Sequence, residues 1–379
     1  VSKAFYILAA LMVAASHPVQ AGWTETTLAQ FNAKEYSSYD GLVFDDKGNL
    51  YGTTVGSGVD NLYGSVFKLT PPAKGKTAWT ITNIYTFKGP EGARPYARLI
   101  LDAAGNLYGT TRDGGPSGDG TVFRLTPPVA GNGAWTLKTL HNFTGDKDGR
   151  YPLSALVFGQ DGDLYGTTGY GGAKNAGTAF KLKKPAVPTG PWVYTLLHSF
   201  SGTDGAAIAA GLVFDSAGNL YGTANAGGLH KLGVVFKLQH PGAGKTAWGE
   251  LTLHHFAQCT CDGANPLAAL IIDSAGNLYG TTDGGGANSA GAIFKLEPPT
   301  KSKPGWTYGL IYSLAFANGI YPDGSLTLDA AGNLYGTTSE GGSAKDGTVF
   351  RLNHPAAGKT AWTETTLHVF GGADGAGSS

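Results

Sequence analysis

The chain has 379 residues, 60 of them glycine; 27 basic side chains balance 27 acidic ones, and charged residues are only 14% of the total. Zero net charge at so low a charge density excludes the basic footprint of a nucleic-acid binder, and with it a basic patch for acidic membranes.

In chain order, Lys3 leads into an apolar run from Ala4 to Ala15, then Pro18 and the small-residue pattern Val19-Gln20-Ala21. This predicts a secretory signal over 1–21 with cleavage after Ala21, in preference to a short buried helix, because the run is too short to span a bilayer. No later apolar stretch is long enough to cross a membrane, so no transmembrane span is expected in residues 22–379. The region 22–370 is then an array. L-Y-G-T-T, or L-Y-G-T-A once, begins at Leu50, Leu107, Leu164, Leu220, Leu278 and Leu334, at spacings of 57, 57, 56, 58 and 56 residues. All seven tryptophans keep the same beat, from Trp23 to Trp362.

Each unit opens on three apolar residues, such as Leu99-Ile100-Leu101, predicting a short strand apolar on both faces and held between layers. Asp-x-x-Gly-Asn follows, as in Asp102 to Asn106; the Asp accepts backbone N–H bonds and the Gly supplies positive φ, so the motif reads as a hairpin. In the third unit Gly159-Gln160-Asp161-Gly162-Asp163 takes its place. L-Y-G-T-T is the second strand, with a glycine expected to let a neighbouring sheet approach. A Gly-rich loop leads to a third strand such as Thr121 to Leu125, and a Pro-containing loop to a fourth running from Trp to Phe, such as Trp135 to Phe143. Four antiparallel strands per unit, without helical periodicity, predict an all-β fold, a β-propeller of six complete four-stranded blades. A β-helix is the weaker alternative, since its coils are far shorter than these units.

Closure of the ring is ambiguous in the sequence. A seventh Trp strand, Trp23 to Phe31, precedes the first blade, and Trp23 to Leu28 repeats identically at Trp362 to Leu367. The tail 371–379 resembles the loop that elsewhere leads into a new first strand. The expectation is six blades plus an extra N-terminal strand, either closing as six or belonging to a truncated seven-bladed ring.

G-N-L-Y-G-T-T, the following Gly-Gly loop, G-T-V-F-K/R-L and the Trp strand together resemble the GloVer tandem-repeat family of exported bacterial proteins, over residues 23–370. The resemblance implies a repeat protein of the cell envelope, often with a C-terminal anchoring segment, and implies no particular activity. The shorter phrase D-x-x-G-N-L-Y is similar to a turn of NHL-type and lactonase-type propellers, but it is a hairpin and carries none of their chemistry.

Loops after the second and fourth strands of a blade share one face of a propeller, around the central opening, where functional residues in this architecture sit. After the fourth strands an acid precedes glycine in Glu91, Asp148, Asp204, Asp262 and Asp374. A ring of carboxylates could hold a cation such as calcium or sugar hydroxyls; the plainer reading is an Asp-Gly turn whose side chain satisfies its own backbone. The Gly-Gly loops diverge between units, with Arg112, Tyr170 and Asp283 as binding candidates. His141, His198, His254 and His368 share one fourth-strand position, and their strands are outermost, so they cannot converge on one zinc. The unrepeated segment holding His255, Cys259 and Cys261 predicts a local disulfide between the cysteines; a metal site of the three is the weaker alternative, lacking a fourth ligand. Lys68, Arg124, Lys181, Lys237, Lys295 and Arg351 recur once per third strand and read as long stems over apolar surface. No nucleophile elbow, zincin motif or phosphate loop is present.

The expected function is that of an exported, monomeric, non-catalytic binding or scaffolding module at the bacterial surface, with no cofactor. Carbohydrate or another envelope protein is the partner class that suits a neutral Tyr- and Trp-rich exterior. The rival is a cation-dependent hydrolase or lactonase-like enzyme using Asp148, Asp204 and Asp262; a third reading is a structural repeat without a ligand.

Overall fold

The computed structural model describes residues 26–28, 41–56, 62–129, 133–187, 189–242, 244–257 and 259–371. The predicted signal and cleavage point, most of the Trp23 to Phe31 strand, Asp374 and the rest of the tail from 372 lie outside them. Six four-stranded antiparallel sheets form the blades of a propeller, and no α-helix occurs among the described residues. Blade 1 comprises Val43–Phe44, Leu50–Thr54, Ser65–Thr70 and Thr80–Thr86, hydrogen-bonded in that order. Blade 2 runs from Ile100 to Asn142, blade 3 from Val157 to Ser199, blade 4 from Val213 to His255, blade 5 from Ile271 to Ser313 and blade 6 from Thr327 to Val369.

The hairpin between first and second strands shows why Asp, Gly, Asn and Tyr recur together. Asp45 Oδ1 accepts the N–H of Lys47 and of Asn49, at 3.0 and 2.8 Å, while its Oδ2 accepts Asn49 Nδ2 and the Tyr51 hydroxyl, at 2.7 and 3.0 Å. Gly48 takes φ 79°, open to glycine without strain. The same four bonds return around Asp102, Asp215, Asp273 and Asp329. Burial and the Asp102 carboxylate beside it push the Tyr108 hydroxyl up to about 12, so it stays a donor to the turn. In blade 3, which lacks the first Asp, Lys181 Nζ reaches Asp161 Oδ2 at 3.4 Å and Asp163 Oδ2 at 2.5 Å instead.

The glycine of L-Y-G-T-T makes room for something other than the neighbouring sheet. Gly52 lies opposite Phe67 in the same blade, and a Cβ there would stand 2.5 Å from Phe67 Cζ and 2.6 Å from Leu42 Cδ2. The third-strand phenylalanine crosses over its own blade's second strand, and glycine is what lets the ring lie flat. The recurring lysines cover the other side: Lys181 and Lys237 Nζ sit 5.3 and 5.4 Å from the ring centres of Tyr165 and Tyr221.

The core is distributed among the seams between blades. At the seam of blades 1 and 2, Tyr51, Val66 and Phe87 of one sheet meet Leu99, Leu107, Phe123 and Leu125 of the next. Ile100 packs into the following seam while Leu99 and Leu101 pack into this one, so the three-residue apolar run serves both faces of its sheet. Equivalent clusters join 2 to 3, 3 to 4, 4 to 5 and 5 to 6. Hydrogen bonds cross the seams as well: Thr110, Thr167 and Thr223 Oγ1 donate to the carbonyls of Ser154, Ala210 and Ala268 in the next unit. On the leading face of blade 1 the cluster is Leu50, Phe67 and Leu69 with Leu42, Trp79 and Leu28. Leu28 follows Trp23 by the interval at which Leu140 follows Trp135, and it fills the position that Leu140 fills at the seam of blades 2 and 3.

Candidate functional site

Loops after even-numbered strands gather at one end of the blades, and a repeated backbone frame positions their side chains there. Arg94, Tyr151, Ala207, Asn265 and Tyr321 stand at equivalent places and all have positive φ, between 53 and 58°. Each N–H donates to the preceding unit, Arg94 to the Tyr63 carbonyl at 2.7 Å and Tyr151 to that of Asp119 at 2.9 Å, and each carbonyl accepts from the residue just after the second strand, such as Arg112 or Asp283. Left-handed backbone at non-glycine residues costs energy and persists because these bonds over-determine it. The frame is constant; the side chains it displays are not.

The acids after the fourth strands turn back on their own blades. Glu91 accepts from the Tyr85 hydroxyl at 3.0 Å and from the Lys88 N–H at 2.9 Å. Asp148 pairs with His141 Nε2 at 3.1 Å and accepts the Thr144 hydroxyl at 2.5 Å. Asp204 pairs with His198 at 2.8 Å and accepts from Ser201, and Asp262 pairs with His254 at 3.0 Å and accepts the N–H of Ala257 and Gly263. Burial alone would raise Asp204, but the hydrogen bonds from His198 and Ser201 outweigh it and hold the carboxyl at about 2. Burial likewise opposes, and the His254 bond overcomes, the change at Asp262, which ends below its ordinary value. His141 is pushed down by burial despite the Asp148 charge. These four acids therefore occupy separate seams, each bonded within its own unit.

This pairing of the recurrent histidine with the recurrent acid is absent from the sequence reading, although the signal was there. Where the fourth strand carries Tyr85 or Tyr312 the loop carries Glu91 or Asn318, and where it carries histidine the loop carries Asp. The next blade completes each pair: Tyr194 stacks on His141 at 4.5 Å between ring centres, and Tyr308 on His254 at 3.9 Å. At the seam of blades 3 and 4 that tyrosine is replaced by Glu250, bringing ligand atoms of His198, Asp204 and Glu250 within 4.8 Å of one another. Burial, with the Asp204 charge beside it, raises the Glu250 carboxyl. Two carboxylates and an imidazole at such separations have the chemistry to hold a divalent cation.

Two other groupings occupy the loop end. The Arg112 guanidinium lies over Tyr96 and Tyr151, 5.8 and 5.2 Å from the ring centres, and Arg150 over Tyr151 and Tyr170, at 5.4 and 5.9 Å. Tyr170 is 42% exposed. Arg112 and Tyr170, from different units, are thus joined through Tyr151 and Arg150. On blades 5 and 6 the grouping is acidic: burial raises Asp283, and burial together with the charges of Asp283 and Glu340 raises Asp323 to about 6. Cys259 and Cys261 are joined in a disulfide, so neither sulfur is a free thiolate, and His255 Nδ1 accepts the Leu229 N–H at 3.3 Å. At the opposite end an open groove of about 650 Å³ between blades 4 and 5 is lined by Asp215, Tyr221, Pro299 and Trp306.

Blades built from one repeated unit, with a constant frame and variable loop side chains, define a tandem-repeat β-propeller. The Gloeobacter/Verrucomicrobia repeat model matches residues 17–190 and 186–379, and the chain belongs to that family. None of the curated proteins matches it. Among solved structures it is similar to a putative 6-phosphogluconolactonase from Bacteroides uniformis, with 15% identity, 90% of this chain and 86% of that one covered, and a TM-score of 0.55. It is also similar to PorZ, a surface component of the type-IX secretion system of Porphyromonas gingivalis, with 17% identity, 87% and 42% covered, and a TM-score of 0.48. A luciferin-regenerating enzyme gives 16% identity, 86% and 94% covered, and a TM-score of 0.48. At these identities the likeness is one of fold. No helix among the described residues is long and apolar enough to cross a membrane.

Proposed function

We propose that the chain is an exported binding or scaffolding module of the bacterial envelope, acting as a monomer through the loop end of its propeller on a carbohydrate or another surface protein. The observation that carries this reading is the contrast at Arg94, Tyr151, Ala207, Asn265 and Tyr321, where one strained backbone conformation is kept and the side chain changes from blade to blade. A rigid frame with variable display serves recognition, because the ordering cost is met in folding and not on binding. A glycan array and an envelope-protein pull-down, each run with wild type and with Tyr151→Ala/Tyr321→Ala, test it. Signal lost in the double variant supports the reading; no signal from either screen leaves a structural repeat.

A second reading, a cation-dependent hydrolase or lactonase-like enzyme, draws on the cluster of His198, Asp204 and Glu250. Calcium titration followed by melting temperature separates the two. A rise in Tm abolished by Asp204→Ala favours the enzyme, and indifference to calcium and chelator favours the binding module.

A further inference from the structure

We propose that the arginine–tyrosine array at the loop ends of blades 2 and 3 binds an anionic polysaccharide, one whose sugar rings carry carboxylates. This rests on the reading of the loop end as a binding surface and names the ligand class for it.

Tyr96, Arg112, Tyr151, Arg150 and Tyr170 alternate ring and cation in an unbroken series, and Tyr151 and Tyr170 meet edge to face at 6.2 Å. A guanidinium stacked on a ring keeps its N–H edge available in its own plane, the geometry that takes a carboxylate in two parallel bonds. Among the described residues no carboxylate of the chain pairs with Arg112 or Arg150; the nearby ion pair is Arg94 to Asp113, at 3.4 Å. Arg150 Nε is moreover buried without a hydrogen-bond partner.

The tyrosine rings supply what a chain of sugars needs besides charge, flat faces for the C–H side of a pyranose and hydroxyls for its rim. The far half of the same end carries Asp283, Asp323 and Glu340, so a polyanion is repelled from blades 5 and 6. A nucleic acid is disfavoured, because zero net charge offers no track of cations along a phosphate backbone.

Titration calorimetry of the full chain with hexagalacturonate, maltohexaose and a thymidine hexanucleotide tests this at low salt and at 0.3 M salt. The expected result is saturable binding of hexagalacturonate that weakens with salt, is about tenfold tighter than that of maltohexaose, and falls about tenfold in either Arg112→Gln or Arg150→Gln. Arg112→Lys, which keeps charge but not the planar fork, should fall between, and unchanged melting curves show that the variants fold. The proposal is overturned by absent binding of hexagalacturonate, by equal binding of the neutral hexamer, by tighter binding of the nucleotide, or by arginine variants that bind as wild type. If hexagalacturonate fails while a neutral glycan or an envelope protein is captured at the loop end, the ligand class is wrong and the binding module stands; if all fail, both fall.

Discussion

Blade 2 and blade 6 contain the same second strand, L-Y-G-T-T, and the same third-strand core, T-V-F-R-L, yet they are not buried alike. Leu107 to Thr111 is buried throughout, whereas Tyr335, Gly336 and Thr337 of Leu334–Thr338 are partly exposed. Val122 is wholly buried and its counterpart Val349 is partly exposed. The difference lies in what comes next. The trailing face of blade 2 meets Leu156, Leu164 and Phe180 of blade 3, while among the described residues the cluster on the leading face of blade 1 includes Leu28 and no residue of blade 6. Identical pentapeptides therefore contribute different stability, because burial belongs to a seam and not to a strand.

Truncation within a closed seam should give the largest effect. Phe236→Ala, which removes a fully buried ring at the seam of blades 3 and 4, is expected to cost about 3 to 5 kcal/mol in denaturant unfolding; a cost below about 1 would break the picture of load shared among seams. The glycine–phenylalanine crossing is internal to a blade and should ignore the comparison altogether. Gly109→Ala and Gly336→Ala place a Cβ 2.8 and 2.6 Å from Phe123 and Phe350 Cζ, so each should lose about 2 kcal/mol, alike within error. The matched pair Val122→Ala and Val349→Ala isolates the seam itself. About 2 kcal/mol is expected for the first and under about 1 for the second, and equal costs would mean that the trailing face of blade 6 is covered as the others are.

The smallest effect is electrostatic. With its pKa raised to about 6, Asp323 favours the folded state when protonated; that contribution is complete below the unfolded value near 3.8 and is lost as pH rises through 6. Asp323→Asn should thus stabilise at pH 8 by about 1 kcal/mol, a figure discounted for solvent screening at a part-exposed group, and the gain should vanish by pH 4. Asp204 runs the other way. Held at about 2, it stabilises above the unfolded value and loses that contribution as pH falls from about 4 through 2, so Asp204→Asn should flatten the acid limb of a melting-temperature profile.

The blades were legible in the sequence because each is a local object. Asp45, Gly48, Asn49 and Tyr51 bond to one another within seven residues, so spacing alone discloses the hairpin. The His141–Asp148 and His198–Asp204 pairs were half legible: period and spacing located both partners, but only the bend out of the fourth strand turns them toward each other. Glu250 beside His198, and Arg112 beside Tyr151, were not legible. Their partners lie in different units, and seam geometry, which no local pattern encodes, brings them together. The glycine of the second strand was misassigned for a similar reason, since the register Gly52 to Phe67 decides which ring fills the space.

The left-handed positions at the loop end have an evolutionary consequence. Because Arg94, Tyr151, Ala207, Asn265 and Tyr321 each sit in a socket built from backbone bonds of two adjoining units, any side chain that tolerates the strain can be seated without redesign of its neighbours. Unequal crossing-over between near-identical units would then deal out new combinations of pegs on an unchanged board, and selectivity could drift quickly while the architecture stood still.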